Sequence, residues 1–109
     1  MPDRTWKKAE RKVAELLGGQ RIPVSGRGDR PDIEHGWLSI ECKLRRRLPQ
    51  WLLAAVEQAE RAARPGQLPV AILHQAGARY RDALVVLRLG EFEEWFGGVR
   101  QKGGRNEPR

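Results

Sequence analysis

One cysteine and two histidines in 109 residues restrict this chain to a fold that apolar burial alone must hold together. A single cysteine cannot form an internal disulfide, and one cysteine with two histidines cannot complete a four-ligand structural zinc site. A chain of this length forms one small domain with a thin apolar core. We therefore expect a reducing compartment and an exposed apolar patch that a second copy of the chain could cover.

Charge and hydropathy point to a class of partner. Lysine and arginine number 21 against 14 acidic residues, which gives a net charge of +7. Because bound cations release the counterions of a phosphate chain, this excess favours a nucleic-acid partner. No apolar run approaches the roughly 20 residues of a bilayer span, and the start lacks the stretch of a signal peptide. We expect a soluble protein of the cytoplasm, or of the host cytoplasm if a phage encodes it, without a membrane partner or a small-molecule cofactor.

The first element is a helix. Apolar residues recur at three- and four-residue spacing from Trp6 to Leu17, which predicts one buried face. Thr5 is a candidate cap for its start, and Gly18 and Gly19 are typical of a helix end.

The rest of the pattern predicts five short strands and two more helices. The strands are expected at 21–24, 32–34, 37–43, 69–74 and 83–89, and the helices after Pro49 and at 91–96. The order α-β-β-β-α-β-β, with a short C-terminal helix, predicts an α/β fold with a central mixed β-sheet flanked by helices. The last two strands should be adjacent and largely buried. Residues 1–97 form a single predicted domain, and 98–109 a flexible basic tail.

Two predicted strands bring acidic and basic side chains together. Alternation places Glu41 and Lys43 on one face of the strand 37–43, and a hairpin sets that face beside Asp32. Two carboxylates suit Mg²⁺, which accepts phosphate oxygens at its remaining positions. Lys43 can then orient a water or stabilise the transition state, so the set favours phosphodiester hydrolysis.

A third carboxylate comes from the first helix. Stepping 100° per residue from Val13 sets Glu10 at about 60°, on the edge of the apolar face, while Glu15 faces solvent. A carboxylate at such an edge is costly without a cation, so Glu10 is a candidate metal ligand. The alternative is a surface ion pair with Lys7 or Arg11.

These motifs resemble a known nuclease superfamily. Asp32 after a proline, followed nine residues later by Glu41-Cys42-Lys43, resembles the PD-(D/E)XK signature. The stretches AERKVAELL, SGRGDRPDI and LSIECK are together similar to archaeal-type Holliday junction resolvases, including small phage-encoded ones. The resemblance spans 6–43 and implies a restriction-endonuclease-like core.

The resemblance also implies roles for individual residues. The implied catalytic set is Glu10, Asp32, Glu41, Lys43 and Ser25, and the implied metal shell is Glu10, Asp32, Glu41 and the backbone carbonyl of Cys42. Lys43 would assist the nucleophilic water, and Ser25 would lie near the scissile phosphate, although the loop around it is unusually rich in arginine. Mg²⁺ is the expected cofactor, with Mn²⁺ able to substitute.

Three basic clusters surround the acidic set and are candidate DNA-binding residues, because arginine forks suit phosphate oxygens. They are Lys7, Lys8, Arg11, Lys12, Arg27, Arg30, Arg45, Arg46 and Arg47. The alternative for any one cluster is a solvated charged surface. Trp51, Leu52, Trp95 and Phe96 are expected in the core, with part of this surface forming a dimer interface.

The function expected from these features is Mg²⁺-dependent, structure-selective endonuclease activity that resolves four-way DNA junctions by phosphodiester hydrolysis. Cutting two opposed strands of a symmetric junction requires two active sites, so a homodimer bound to branched DNA is expected. Two alternatives stay open, namely another PD-(D/E)XK nuclease of restriction or repair type and a non-catalytic DNA-binding domain.

Overall fold

A computed structural model describes residues 2–24 and 28–101, and these form a mixed α/β structure with three helices and two small antiparallel sheets. The elements in order are α1 (Pro2–Leu17), β1 (Gln20–Arg21), β2 (Ile33–Glu34), α2 (Gln50–Ala62), β3 (Ala71–Leu73), β4 (Leu84–Val86) and α3 (Leu89–Gln101). The chain divides into two compact units, one of Met1–Arg45 with Phe96–Arg109 and one of Arg46–Trp95. Within the described ranges, no helix has both the length and the apolarity that crossing a membrane requires.

Helix α1 ends where the sequence predicts but begins earlier. Its first residue is Pro2, so Thr5 lies inside the helix and the prediction that Thr5 caps it is wrong. At the other end, Gly18 has a φ of 79°, and the Gly19 N–H donates to the Ala14 carbonyl at 2.9 Å. A left-handed residue followed by this six-residue hydrogen bond is the usual glycine termination of a helix.

The first unit contains a two-stranded sheet with one extra bridge. Strand β1 pairs antiparallel with β2, with Arg21 opposite Ile33, and Ile33 is completely buried. The predicted strand 37–43 forms only a single antiparallel bridge, between Ile33 and Ile40. The Cys42 N–H donates to the Asp32 side chain. In a continued β-ladder its acceptor would be a backbone carbonyl, so regular pairing does not extend past the bridge.

Alternation within 38–43 is nevertheless confirmed. Its even-numbered residues are half-buried and its odd-numbered residues are exposed, namely Leu38, Ile40 and Cys42 against Ser39, Glu41 and Lys43. Extended backbone therefore turns the acid and the base toward solvent, as the pattern predicts.

The second unit is built around helix α2. Val56 is the buried residue of this helix, which packs against β3. After β4, Arg88 bonds back to α2, where its Nε lies 2.8 Å from Glu60 Oε2 and its Nη2 3.3 Å from Oε1. This two-point contact ties the chain after the sheet to the helix.

Strands β3 and β4 pair antiparallel, with Ile72 opposite Val85. The prediction that both are largely buried is wrong, because Ala71 is their one buried residue, and Ile72, Leu84 and Val85 are exposed. A two-stranded sheet covered by one helix has only one face to bury.

The predicted single central mixed sheet is not what the described residues form, since both sheets are two-stranded and antiparallel. The last helix is also longer than the predicted 91–96, because α3 ends at Gln101. It takes in the first residues of the predicted 98–109 tail, and 102–109 lie outside the described residues.

Candidate functional site

Asp32 is held against the segment that carries the predicted acid and base. Its side chain is buried, with 7% of the residue exposed. Its backbone N–H donates to the Ile40 carbonyl at 3.0 Å, and its Oδ2 accepts the Cys42 N–H at 2.7 Å. These two partners flank Glu41 in the sequence. Asp32 is therefore fixed beside Glu41 by one hydrogen bond on each side of it.

Glu41 and Lys43 are both exposed. Neither forms an ion pair with another described side chain. A carboxylate and an ammonium that no described side chain pairs with can form charge-assisted hydrogen bonds to a ligand. The structure thus places Asp32 against the backbone of Ile40 and Cys42, on either side of Glu41, and Lys43 is the residue after Cys42.

Glu10 is buried as well, with 4% of the residue exposed, and with Asp32 it makes up the whole set of buried charged or polar residues in the described ranges. Helical arithmetic puts Glu10 at the margin of the apolar face, which agrees with this burial, while Glu15 is exposed. Both buried acids therefore belong to the acidic set that the sequence predicts. Burial of a carboxylate is costly unless it is paired and hydrogen-bonded.

The cation beside Glu10 is Arg21 on β1. Arg21 Nε lies 2.7 Å from Glu10 Oε1, and the two side chains are 15% and 5% exposed. The Arg21 guanidinium carbon also lies 5.4 Å from the ring centroid of Trp6, within the range of a cation–π contact. The expected alternative, a surface pair with Lys7 or Arg11, is wrong, because the partner comes from a strand eleven residues away.

Arg21 is a residue that the sequence reasoning missed. It lies in a short extended segment, outside every basic cluster and outside helical reach of Glu10. No periodic signal links a helix residue to a strand residue across a glycine turn. The only available hint was the energetic argument that Glu10 needs a cation.

His35 is a second missed residue. The Leu17 carbonyl lies 2.7 Å from His35 Nε2, and the N–H groups of Trp37 and Leu38 lie 3.2 and 3.3 Å from Nδ1. Because a carbonyl only accepts and an N–H only donates, these partners assign the donor role to Nε2 and the acceptor role to Nδ1. His35 thus joins the end of α1 to the turn that leads to Glu41.

The carboxylates of the predicted set are possible ligands of a divalent cation. Carboxylate oxygens are the ligands that Mg²⁺ prefers, and Mg²⁺ is usually held by one or two carboxylates plus substrate phosphates. Asp32 and Glu41 supply donors of that chemical type. No group of three or more His, Cys, Asp or Glu side chains suited to a metal ion occurs in the ranges 2–24 and 28–101. The predicted three-carboxylate shell is therefore not assembled among these residues, and Glu10 is engaged by Arg21.

The predicted DNA-binding residues differ in their surroundings. Lys8, Arg11, Lys12 and the run Arg45, Arg46 and Arg47 are exposed. Lys7 is half-buried, with its Nζ 6.0 Å from the Trp6 ring centroid. Arg30 is paired with Glu34, its neighbour across one turn of chain. Ser25 and Arg27 lie outside the described residues, so their predicted roles stay predictions.

The aromatic residues expected in the core are exposed. Trp51 is 62% exposed, Trp95 47% and Phe96 37%, while Leu52 is half-buried. The core prediction is therefore wrong for these three rings, and the thin apolar core explains why they stay outside.

Comparison with known proteins gives no relative to set beside this geometry: no protein-family model, no curated protein and no solved structure matches the chain.

Proposed function

We propose that this chain is a Mg²⁺-dependent endonuclease with a restriction-endonuclease-like core, and that it resolves four-way DNA junctions. The observation that carries the proposal is the placement of Asp32, which hydrogen-bonds to Ile40 and Cys42 on either side of Glu41. Phosphodiester hydrolysis needs two acidic donors and a base within reach of one phosphate. We assign these roles to Asp32, Glu41 and Lys43, because the hydrogen bonds of Asp32 hold it beside the segment that carries the other two.

Each residue of the site has a definite task in the proposed reaction. Asp32 and Glu41 would hold the cation, which when bound neutralises charge on the scissile phosphate and activates water. The Lys43 ammonium orients the attacking water and stabilises the charge that develops on the phosphate oxygens. The water oxygen forms a new bond to phosphorus and loses a proton, while the P–O bond to the leaving oxygen breaks and that oxygen takes up a proton.

Glu10 acts indirectly in this proposal. Its contact with Arg21 orients the end of β1 against α1. Ile22, which follows Arg21, donates its N–H to the Asp32 carbonyl at 2.9 Å, so the ion pair supports the backbone that holds Asp32 just before β2. Glu10 is then a positioning residue rather than a direct metal ligand.

Basic side chains give the proposed substrate class. The net charge of +7 suits a polyanion, and the exposed arginines 45–47 follow the candidate site directly. A four-way junction offers two symmetric scissile strands, so the proposed working unit is a homodimer with one site per copy. A restriction- or repair-type nuclease of the same superfamily would use the same site on plain duplex DNA.

A non-catalytic DNA-binding domain is the second candidate. The engagement of Glu10 by Arg21, together with the lack of a three-residue metal group in the described ranges, favours it. In that case the basic clusters bind phosphates, and the hydrogen bonds of Asp32 to Ile40 and Cys42 serve only to hold the backbone around Glu41 in place.

A cleavage assay tests these proposals. The protein is incubated with Mg²⁺ and end-labelled four-way junction, linear duplex or single-stranded DNA of matched length. We expect symmetric cuts in the junction, and loss of cutting with retained binding in Asp32→Asn, Glu41→Gln and Lys43→Ala. Glu15→Gln, an exposed acid on α1, is the matched control and should cut normally.

The outcomes separate the candidates. Equal cleavage of linear duplex would replace junction resolution by another nuclease activity. Binding of all DNA forms without cleavage, in Mg²⁺ and in Mn²⁺, would favour the DNA-binding domain.

A further inference from the structure

Helix α2 begins with an uncovered indole. Trp51 is its second residue and is 62% exposed. The side chains three and four positions further on, which cover a neighbouring ring on a helix, are Ala54 and Ala55. Their methyl groups are too small to hide an indole. Within the part of the chain that the structure describes, no other ring and no cation contacts Trp51.

The same end of α2 carries positive charge. Arg46 and Arg47 are exposed a few residues before Trp51, and neither forms an ion pair with a described side chain. The first turn of α2 contains no acidic residue that could neutralise them. A flat apolar ring and two unpaired guanidiniums therefore lie within one short stretch of surface chain.

We propose that Trp51 stacks on an unpaired base of a single-stranded nucleic acid while Arg46 and Arg47 bind its phosphates. Proteins that bind single strands combine a basic surface with aromatic rings on which bases stack, because every base has a π face. In a duplex those faces are already stacked on one another. The ring thus distinguishes unpaired bases from paired ones, and it needs no metal and no cleavage chemistry.

Trp95 in the same unit provides a natural contrast. It is 47% exposed, but the exposed carboxylate of Glu94 precedes it directly. A polyanion is repelled from such a surface. Exposure alone would make the two tryptophans equivalent, whereas the charge around each of them assigns the base-binding role to Trp51.

The test measures binding of the full chain in EDTA, so that cleavage plays no part. Two labelled ligands of equal charge are compared, oligo(dT) of about 20 nucleotides and an abasic phosphodiester chain of the same length. We expect the wild type to prefer oligo(dT). We expect Trp51→Ala to lose about 5- to 150-fold in affinity for oligo(dT), the range measured for one stacked base, and to bind the abasic chain unchanged.

Further variants sharpen the result. Trp51→Phe keeps a π face and should retain most of the preference, and Trp95→Ala should bind as the wild type does. The double variant Arg46→Gln/Arg47→Gln should lose affinity for both ligands alike. Oligo(rU) in a parallel titration shows whether the recognised strand is DNA alone or either nucleic acid.

Two results would overturn the proposal: equal binding of oligo(dT) by wild type and Trp51→Ala, or no preference of the wild type for oligo(dT) over the abasic chain. A misfolded Trp51→Ala would lose both ligands together, which the abasic chain and an unfolding curve would reveal. Because metal is absent throughout, failure here leaves the cleavage assay as an independent test of the nuclease proposal.

Discussion

Arg21 Nε lies 2.7 Å from Glu10 Oε1, and the fold leaves only 15% and 5% of the two side chains exposed. Removing two charges from water costs free energy that their attraction roughly offsets, whereas one charge left alone in the same place is strongly destabilising. The contact therefore specifies how α1 meets β1 more than it adds to the free energy of unfolding.

A double-mutant cycle tests this account. We expect Arg21→Met or Glu10→Gln alone to lower the free energy of unfolding by about 3 kcal/mol, because each removes one side of a buried ion pair whose charges were taken out of water together. The double variant should be more stable than the sum of the single losses predicts. Urea unfolding provides the measurement, and Lys12→Ala, which breaks an exposed pair with Glu15, should leave the unfolding curve unchanged. Strict additivity of the two buried changes would contradict the interpretation.

Asp32 offers a way to separate fold from chemistry. Asp32→Ala leaves the Cys42 N–H without its 2.7 Å acceptor and should cost about 1–3 kcal/mol of stability. Asp32→Asn keeps a side-chain oxygen that can accept the same bond, so its thermal midpoint should stay close to that of the wild type. If both variants melt alike, the hydrogen bond to Cys42 contributes nothing to the segment that carries Glu41.

Gly19 marks the closest approach of α1's end to β2. A Cβ added there would lie 2.6 Å from the Glu34 carbonyl oxygen and 2.7 Å from Ile33 Cγ2. The first of these atoms is backbone, which cannot step aside cheaply. Gly19→Ala should therefore lower the free energy of unfolding by about 1–3 kcal/mol. Gly36→Ala, where an added Cβ meets no atom within 4 Å, is the matched control and should unfold as the wild type does.

Acid should weaken the contact between Glu60 and Arg88. The hydrogen bond from Arg88 lowers the pKa of the Glu60 carboxyl below its ordinary value of 4.5, against a smaller opposing effect of desolvation. A carboxyl whose folded pKa is lowered stabilises the fold above its unfolded pKa, and this contribution is lost as the pH falls through the folded pKa. Thermal midpoints of wild type and Glu60→Gln should therefore differ near pH 7 and converge in acid.

The size of that difference is limited by solvent. The Arg88 and Glu60 side chains are 46% and 31% exposed, so their ion pair contributes little to stability and is screened by salt. Raising the ionic strength at pH 7 should shrink the gap between the two midpoints. A gap that stays constant from neutral pH into acid would show that the Glu60 contact does not respond to charge.

Local pattern predicted much of the first unit. The glycines gave the end of α1, helical spacing put Glu10 at the margin of the apolar face, and strand alternation put Glu41 and Lys43 on one face, where both are exposed. These features depend on which face of one element is apolar, and a sequence states that directly. The predicted start at Thr5 is wrong because the helix begins at Pro2, among residues that carry no apolar pattern.

Non-local contacts could not be predicted in the same way. Arg21 contacts Glu10 across a glycine turn, and His35, which follows β2, contacts the Leu17 carbonyl at the end of α1. Both depend on how separate elements pack. The prediction that Trp51 and Leu84 are buried is wrong for a related reason: apolar residues outnumber the positions that a thin core can cover.

The salt dependence of DNA binding tests the basic run after the candidate site. Neutralising Arg45, Arg46 and Arg47 to Gln should weaken binding to DNA of every sequence, because phosphate contacts carry no base information. Each lost contact should lower the slope of log affinity against log salt by about 0.9 for duplex DNA. The slope then falls by up to about 3 if all three guanidiniums contact phosphates.

A charge-matched control distinguishes contact from net charge. Arg61, Arg64 and Arg81 are exposed and form no ion pair with a described side chain, so the triple change to Gln there removes the same charge elsewhere. That variant should keep the wild-type slope and lose only a little affinity through the longer-range field. An unchanged slope in the first variant, or equal slopes in both, would show that arginines 45–47 are a solvated surface and that DNA approaches the candidate site by another route.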